Sequence, residues 1–480
     1  MTTEGSGESG RVPHSGLAPI RCLEVTGSLR HEDRQRRQVF EITVPTRASR
    51  LRIEFHYGPG EIAGVHNLLT LSVFDPRGFR GAAHRWSQAQ TITLDPYAAT
   101  PGFLPGPIVS GRWRIELDAH EIVNDGDDTG WCDFRLAVDA ELDPVPDDQD
   151  APGLPRGDLT DGARLSGAAG WYRGDLHSHS VHCDGTSTIA EMAGAAAAVG
   201  LEFLATTGHN TISQWLLGGP WPDGLLRIRG IECTTYFGHA NVLGTSDWVD
   251  WRVESPELGA RMILAQAAAQ GALAVVNHPC ALGNPVCTGC RWGYPPADLP
   301  DFDAIEVWNS GWREGGSRNV DALALWTSQL MAGSTLTAVA GTDSHAAEEY
   351  LRSDLPYNWV YADELSEREV LTALRLGRVY LSCGPTVTFV AGGAAGDRAT
   401  LPGDRLPAGR FDLRVHAAGL TSPATAWLVV DGAPRRIGDL LAPGGTLHAA
   451  ATAERWWRHA LRPRDADEGL LALTNPVYHG

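Results

Sequence analysis

Lysine is absent from all 480 residues, so each of the 39 basic side chains is an arginine. That excludes Schiff-base chemistry, a Walker-type phosphate lysine and a carbamylated-lysine bridge between metal ions. Net positive charge is missing as well. With 58 acidic residues the formal charge is −19, and nucleic-acid affinity comes from clustered cations that release counterions, so polymeric nucleic acid is not an expected partner. No apolar run reaches the length of a membrane span, and the opening MTTEGSGESGRVPHSGLAPI has no apolar leader core. The expectation is a cytoplasmic protein with no membrane partner. Eight cysteines without a secretory leader read as reduced thiols. No G-x-S-x-G elbow occurs, which disfavours a serine nucleophile.

What is present is enough for two or three hydrophobic cores: 43% apolar residues, 16 of them Trp. A Gly/Ser-rich tail runs to about residue 18. Short alternating segments follow, such as RLRIEFHY, LLTLSVFD, TITLD, RWRIELD and CDFRLAV, separated by Gly, Pro and Asp turns. Period-two patterning with that punctuation predicts an N-terminal β-sandwich over 19–150, its last strand ending near 142. ELDPVPDDQDAPGLPRGDLTDG has the composition of a linker.

From residue 171 short buried strands alternate with helical patterns. The strands are GDLHSHS, EFLATTGHN, LRIRGIECT with HANVLG, ALAVVNHP, AIEVWNS, LTAVAGTDSH and NWVYAD. Thr188 with Glu191, Ser255 with Pro256, and Ser366 with Glu369 open helices that stop at Gly200, Gly271 and Gly377. This alternation predicts a parallel, barrel-like α/β domain over 171–384. After SCGPTVTF the pattern reverts to short strands with DG as a hairpin turn, predicting a small C-terminal β-sandwich over 385–480.

The segment GDLHSHSVHCDG places His177 and His179 two residues apart, on one face if it is a strand. Side chains able to bind metal then recur where predicted strands end: His209, Glu232, His239, His278, and Asp343 with His345. Strand ends of a parallel barrel converge on one mouth.

The ordered string DLHSHS…CDG…TTGHN…GIE…GHANVLG…NHP…GTDSH resembles the polymerase-and-histidinol-phosphatase (PHP) metallohydrolases, in particular their CehA/McbA-like branch. The chain end LALTNPVYHG is similar too. The resemblance implies a distorted (β/α)7 barrel flanked by β-sandwiches and holding two or three divalent ions, Zn, Mn or Fe. It implies that His177, His179, Glu232 and Asp343 hold one ion, and that Glu232 bridges to a second completed by His239 and His278. Asp184, His209 and His345 would hold a third. One departure stands out: Gly208 precedes His209 where members usually carry Asp, which removes an acceptor or proton carrier beside the ligand.

Further candidates surround this set. His239 and His182 are the best-placed acids for a leaving group. Asn210, Trp308 and Asn309 are candidate substrate contacts, and Arg173 and Arg313 candidate clamps for an oxyanion or phosphate. Cys280, Cys287 and Cys290 are read as loop thiols, with a structural zinc or a redox pair as alternatives. Two cations flanking a water would present hydroxide as nucleophile. The function implied is a metal-dependent hydrolase of a small phosphoester. The alternatives are a carbamate, ester or amide hydrolase, with Trp215, Trp221, Trp292, Trp308 and Trp312 as an apolar wall, and a non-catalytic protein that metal merely stabilises.

Overall fold

Alternating burial along the first strands shows why they form. In the strand Ala48–Gly58, Leu51, Ile53, Phe55 and Tyr57 point inward while their neighbours are more exposed. The computed structural model describes residues 18–124, 130–142, 164–217, 219–315, 317–393, 396–464 and 469–480. The Gly/Ser-rich start and linker residues 143–162 lie outside these.

Eight N-terminal strands are β1 (Ile20–Arg30), β2 (Arg36–Val44), β3 (Ala48–Gly58), β4 (Leu68–Asp75), β5 (Gly78–Ala83), β6 (Ala89–Leu94), β7 (Gly111–Glu121) and β8 (Trp131–Leu142). They make two four-stranded antiparallel sheets, β1-β8-β3-β6 and β2-β7-β4-β5. The two sheets share one apolar cluster that includes Phe55 from the first and Trp113 from the second. The opposite face of the second sheet packs on the middle of the chain, where Phe79 stacks on Trp248 with ring centres 5.0 Å apart.

The middle strands are β9 (Gly170–Asp175), β10 (Phe203–Thr206), β11 (Leu226–Thr234), β12 (His239–Leu243), β13 (Leu273–Val276), β14 (Ala304–Asn309), β15 (Thr337–Gly341), β16 (Tyr357–Ala362) and β17 (Val379–Ser382). Their order is β15-β14-β13-β12-β11-β10-β9-β16-β17. Ladders β9–β10, β10–β11, β13–β14 and β14–β15 are parallel, but β11–β12 and β12–β13 are antiparallel. The reason is local: only residues 235–238 separate β11 from β12, too few for a crossover helix.

Among the described residues no backbone ladder joins β15 to β16. Two buried carboxamides satisfy the edge of β15 instead. Asn358 accepts from Ala340 N and donates to Ala340 O, at 2.9 and 2.7 Å. Asn475, in the chain-end motif, does the same for Ala338 at 2.7 and 2.8 Å.

Helices α1 (Ile189–Ala198), α2 (Pro256–Ala269), α3 (Ser317–Met331) and α4 (Glu367–Arg375) accompany these strands. Thr188 and Glu191 form the expected capping box on α1, and Ser366 accepts from Glu369 N on α4; Ser255 makes no side-chain cap bond on α2. The sequence reading has no counterpart for α3. None of the described helices is long and apolar enough to cross a membrane.

The C-terminal strands are β18 (Thr386–Gly393), β19 (Gly409–Ala418), β20 (Ala424–Val430), β21 (Ala433–Leu440), β22 (Gly444–Ala453), β23 (Trp456–Pro463) and β24 (Ala472–Thr474). Hydrogen bonding runs on from β17 through β24, β23, β20 and β21, so the central sheet continues into this region. β18, β19 and β22 belong to a separate antiparallel sheet. The β20–β21 turn is the expected DG: Asp431 and Gly432 both have positive φ, 46° and 85°.

Candidate metal centre

The strand expected to carry the H-x-H pair ends at Asp175. His177 and His179 lie just beyond it, on either side of Ser178, which makes an isolated parallel bridge to Ser344. His179 N donates to Ser344 O at 2.8 Å and Asp343 N to His177 O at 3.0 Å. The bridge keeps the two rings on one side, with their Nε2 atoms 3.1 Å apart. Asp175 anchors the crossing from below. Fully buried, it accepts from His177 N, Thr342 N and Oγ1, and Tyr350. Burial pushes its carboxyl pKa up against those hydrogen bonds.

All nine predicted ligand residues come together. Groups able to hold a cation, each with its ligand atoms within 4.8 Å of one another, are His177, His179 and Asp343; His177, Glu232 and His278; His209, Glu232 and His239; and His179, Asp184, His209 and His345. Glu232 is the hub. Its carboxylate lies 3.5 Å from His177 Nε2 and His179 Nε2, 2.8 Å from His209 Nδ1, 3.3 Å from His239 Nδ1 and 3.2 Å from His278 Nε2. Burial alone would raise its pKa, but His209 and His177 hold it well below the usual carboxylate range. The same balance runs the other way in His177, where Glu306, Asp343 and Glu232 outweigh burial and lift the imidazole pKa. Asp184 similarly outweighs burial at His345, pushed up to about 9.

Strand ends supply these side chains through uncommon backbone geometry. His278 and Asp343 have positive φ, 26° and 55°, as does Asn210 at 52°. Non-glycine residues avoid that region unless the surroundings enforce it, and such strain gathers at functional sites.

Buried polar atoms test whether the donor set fits a metal. Asp184 Oδ1, Glu232 Oε2 and His239 Nδ1 are all buried without a hydrogen-bond partner, and all three face other ligand groups. Atoms so placed are costly unless a cation satisfies them. Imidazole and carboxylate donors suit Zn, Mn or Fe.

Sequence reasoning missed three contributors. Glu306, 1% exposed on β14, accepts from His177 Nδ1 at 2.7 Å and His278 N at 2.9 Å, fixing two of the candidate ligand residues. Its only signal was an acid inside the apolar strand AIEVWN. Gly341 makes room for it, since a Cβ there would lie 2.1 Å from Glu306 Oε1. The other two are His84 and His120 of the N-terminal sheet. Both are buried, and the His84 ring centre is 4.5 Å from that of His209. Burial pushes the pKa of both down, His120 to about 4.

Replacing Glu306 with Gln keeps its volume but turns one bond to His177 or His278 into a donor–donor clash. The Glu306→Gln protein should bind divalent cations about 10 to 100-fold more weakly in a competition titration. Unchanged affinity would remove the orienting role.

A cavity of about 400 Å³ opens above the cluster, with His278, Glu306, Asp343 and His345 among its walls and Trp86, Asn309, Arg318 and Arg352 around them. The other candidate residues lie as follows. His182 Nδ1 pairs with Ser213 at 2.8 Å, and His239 Nε2 with Thr288 O at 3.1 Å. Neither ring is among the residues lining that cavity. Arg173 donates to Val199 O and stacks on Tyr357, and Arg313 is exposed away from the cavity. Asn210 is used by Thr234 N and O, and Trp308 is 0% exposed. Asn309 does reach the cavity, donating to Glu306 at 3.1 Å. Trp215, Trp221, Trp292 and Trp312 are likewise absent from its lining, and the aromatic side chain there is Trp86 of the N-terminal region.

Gly208 contributes backbone, its carbonyl accepting from Glu232 N at 3.3 Å. A Cβ there would point at Cys183 Sγ, 3.3 Å away. The expectation of reduced thiols fails at Cys287 and Cys290, which form a disulfide because their spacing holds the Cα atoms 5.5 Å apart. Cys280 is free.

No protein-family model matches the chain, and no curated protein does. Solved structures do. One is a two-domain protein from Bacteroides vulgatus containing a predicted PHP-like metal-dependent phosphoesterase, 18% identical over 64% of this chain and 96% of that one, with a TM-score of 0.36. Another is an amidohydrolase from Chromobacterium violaceum, 17% identical over 38% of this chain and 89% of that one, with a TM-score of 0.25.

Proposed function

We propose that this chain is a metal-dependent hydrolase of PHP type acting on a small phosphoester. The observation that carries the reading is Glu232: a fully buried carboxylate ringed by five imidazoles beneath an open cavity, with one oxygen lacking a hydrogen-bond partner. A purely structural network would satisfy that oxygen.

His177, His179, Glu232 and Asp343 would hold one cation, His239 and His278 a second shared through Glu232, and Asp184, His209 and His345 a third. Bound divalent cations supply Lewis acidity and a nucleophilic water at neutral pH. The chain's own residues do the rest. Asn277 donates to Glu232 Oε1 at 2.8 Å and so fixes the plane of that carboxylate. Glu306 aims His177 and holds the backbone of His278. Arg318 and Arg352 stand at the cavity wall, and to clamp a phosphate Arg352 would share its guanidinium with Glu314 and Asp354 and Arg318 with the carbonyls of Glu314 and Gly315; Asn309 presents an amide beside Asp343.

A carbamate, ester or amide substrate is the second reading. Trp86 favours it, because an indole 44% exposed at the cavity wall suits an aryl group. Protein loaded with Mn or Zn, assayed on a phosphomonoester, a phosphodiester and an aryl carbamate, separates the two. Elemental analysis should find two or three divalent ions per chain. Metal-loaded protein that hydrolyses none of the three, and melts no lower with a chelator, overturns the hydrolase reading in favour of a binding protein.

A further inference from the structure

The loop after His278 carries three of the eight cysteines, and none of the ligand sets above uses them. Cys287 and Cys290 are joined in a disulfide. Yet the Cys290 sulfur also stands with a ring nitrogen of His239 and one of His278, all within 4.8 Å of one another, in an arrangement able to hold a cation. The loop is built against those two rings. Cys290 O pairs with His278 Nδ1 and Thr288 O with His239 Nε2, each at 3.1 Å. Thr288 Oγ1 donates to His120 O at 2.8 Å, pinning the loop to the N-terminal sheet. Gly289, with φ +78°, permits the close approach: a Cβ there would lie 2.0 Å from Thr235 O and 3.1 Å from His239 Nε2. Both cysteines are partly exposed, so a small reductant reaches them.

A disulfide sulfur carries no charge and binds cations poorly, whereas a thiolate is a strong ligand that selects softer ions. We propose that Cys290 is a redox-gated metal ligand, withheld in the Cys287–Cys290 disulfide and released by reduction to bind a divalent cation together with His239 and His278. A dithiol is the reductant. It gives two electrons, the S–S bond breaks, each sulfur takes a proton, and the dithiol leaves as its own disulfide. The Cys290 thiol then passes its proton to solvent as the sulfur binds the cation. With the bond intact the surrounding donors are nitrogen and oxygen, which accept Mn. With it open, one donor is sulfur, which favours Zn. The proposal rests on the metal-binding reading above.

The test uses full-length protein loaded with Co(II), with and without a phosphine reductant that offers no thiolate of its own. A sulfur-to-cobalt charge-transfer band in the near ultraviolet should appear only on reduction. Cys287→Ser, which leaves Cys290 without its partner, should show the band with no reductant. Cys290→Ser should show it in neither condition. Cobalt bound per chain, with the band missing from both reduced wild type and Cys287→Ser, overturns the proposal and leaves the hydrolase reading standing. A band that survives in Cys290→Ser assigns the sulfur elsewhere and overturns it too. If no cobalt binds at all, both readings fail.

Discussion

The Glu232→Gln protein is expected to lose more than about 100-fold in hydrolytic rate, beyond what loss of an outer-sphere partner alone costs, and to emerge from purification with fewer cations per chain. The substitution keeps size and shape, so the loss is one of charge and of lone pairs. Five histidines approach this carboxylate within 3.5 Å. An amide nitrogen in place of one oxygen can neither bridge two cations nor accept from those rings. Asp343 and Asp184 remain, 3.0 Å from His179 Nε2 and 3.4 Å from His345 Nε2, so a reduced complement rather than none is expected. Elemental analysis with initial rates checks both. A Gln variant with full metal and wild-type rate would remove the centre from the mechanism.

The second large effect is on stability, and it lies in the N-terminal sheets. Arg80 is 0% exposed and donates to Asp75 at 3.0 Å and to the carbonyls of Leu104, Gly106 and Pro107. Truncating Asp75→Ala strips the carboxylate from a buried guanidinium, which costs about 3 to 5 kcal/mol. It also removes the acceptor for Arg77 N and Gly78 N, at 2.6 and 2.9 Å. Melting should fall by on the order of ten degrees. The same segment also touches the middle of the chain. Arg80 braces residues 104–107, and Gly102 just before them donates its N–H to Ser213 Oγ at 3.0 Å and accepts from Thr211 Oγ1 at 2.7 Å. Scanning calorimetry on metal-loaded protein measures the shift; a change of less than about 1 kcal/mol, the range of exposed pairs, would mean the pair is not isolated from water.

Much of the ligand set was legible because its residues are chemically conspicuous and recur at strand ends. His, Asp and Glu at the close of apolar runs have few structural reasons to be there, and all nine meet at one place. Glu306 was not legible, because one acid in a buried strand looks the same in sequence whether it pairs with a ligand or faces a helix. His84 and His120 were hidden by domain reasoning. His120 sits in β7 and His84 directly after β5, and nothing local reveals that this side of the sheet lies against His209. Trp308 and Arg173 have the right chemistry, but burial and a cation–π contact with Tyr357 turn them to packing.

By itself the sequence determined that strand ends would offer imidazoles and carboxylates with no lysine among them, since residue identity and the spacing of apolar runs are local properties. Only the tertiary structure decided which of them touch, that Glu306 reaches His177 and His278, and that Cys290 stands beside His239 and His278. Those outcomes depend on how distant segments pack, and packing is a sum over contacts that no single stretch of chain contains.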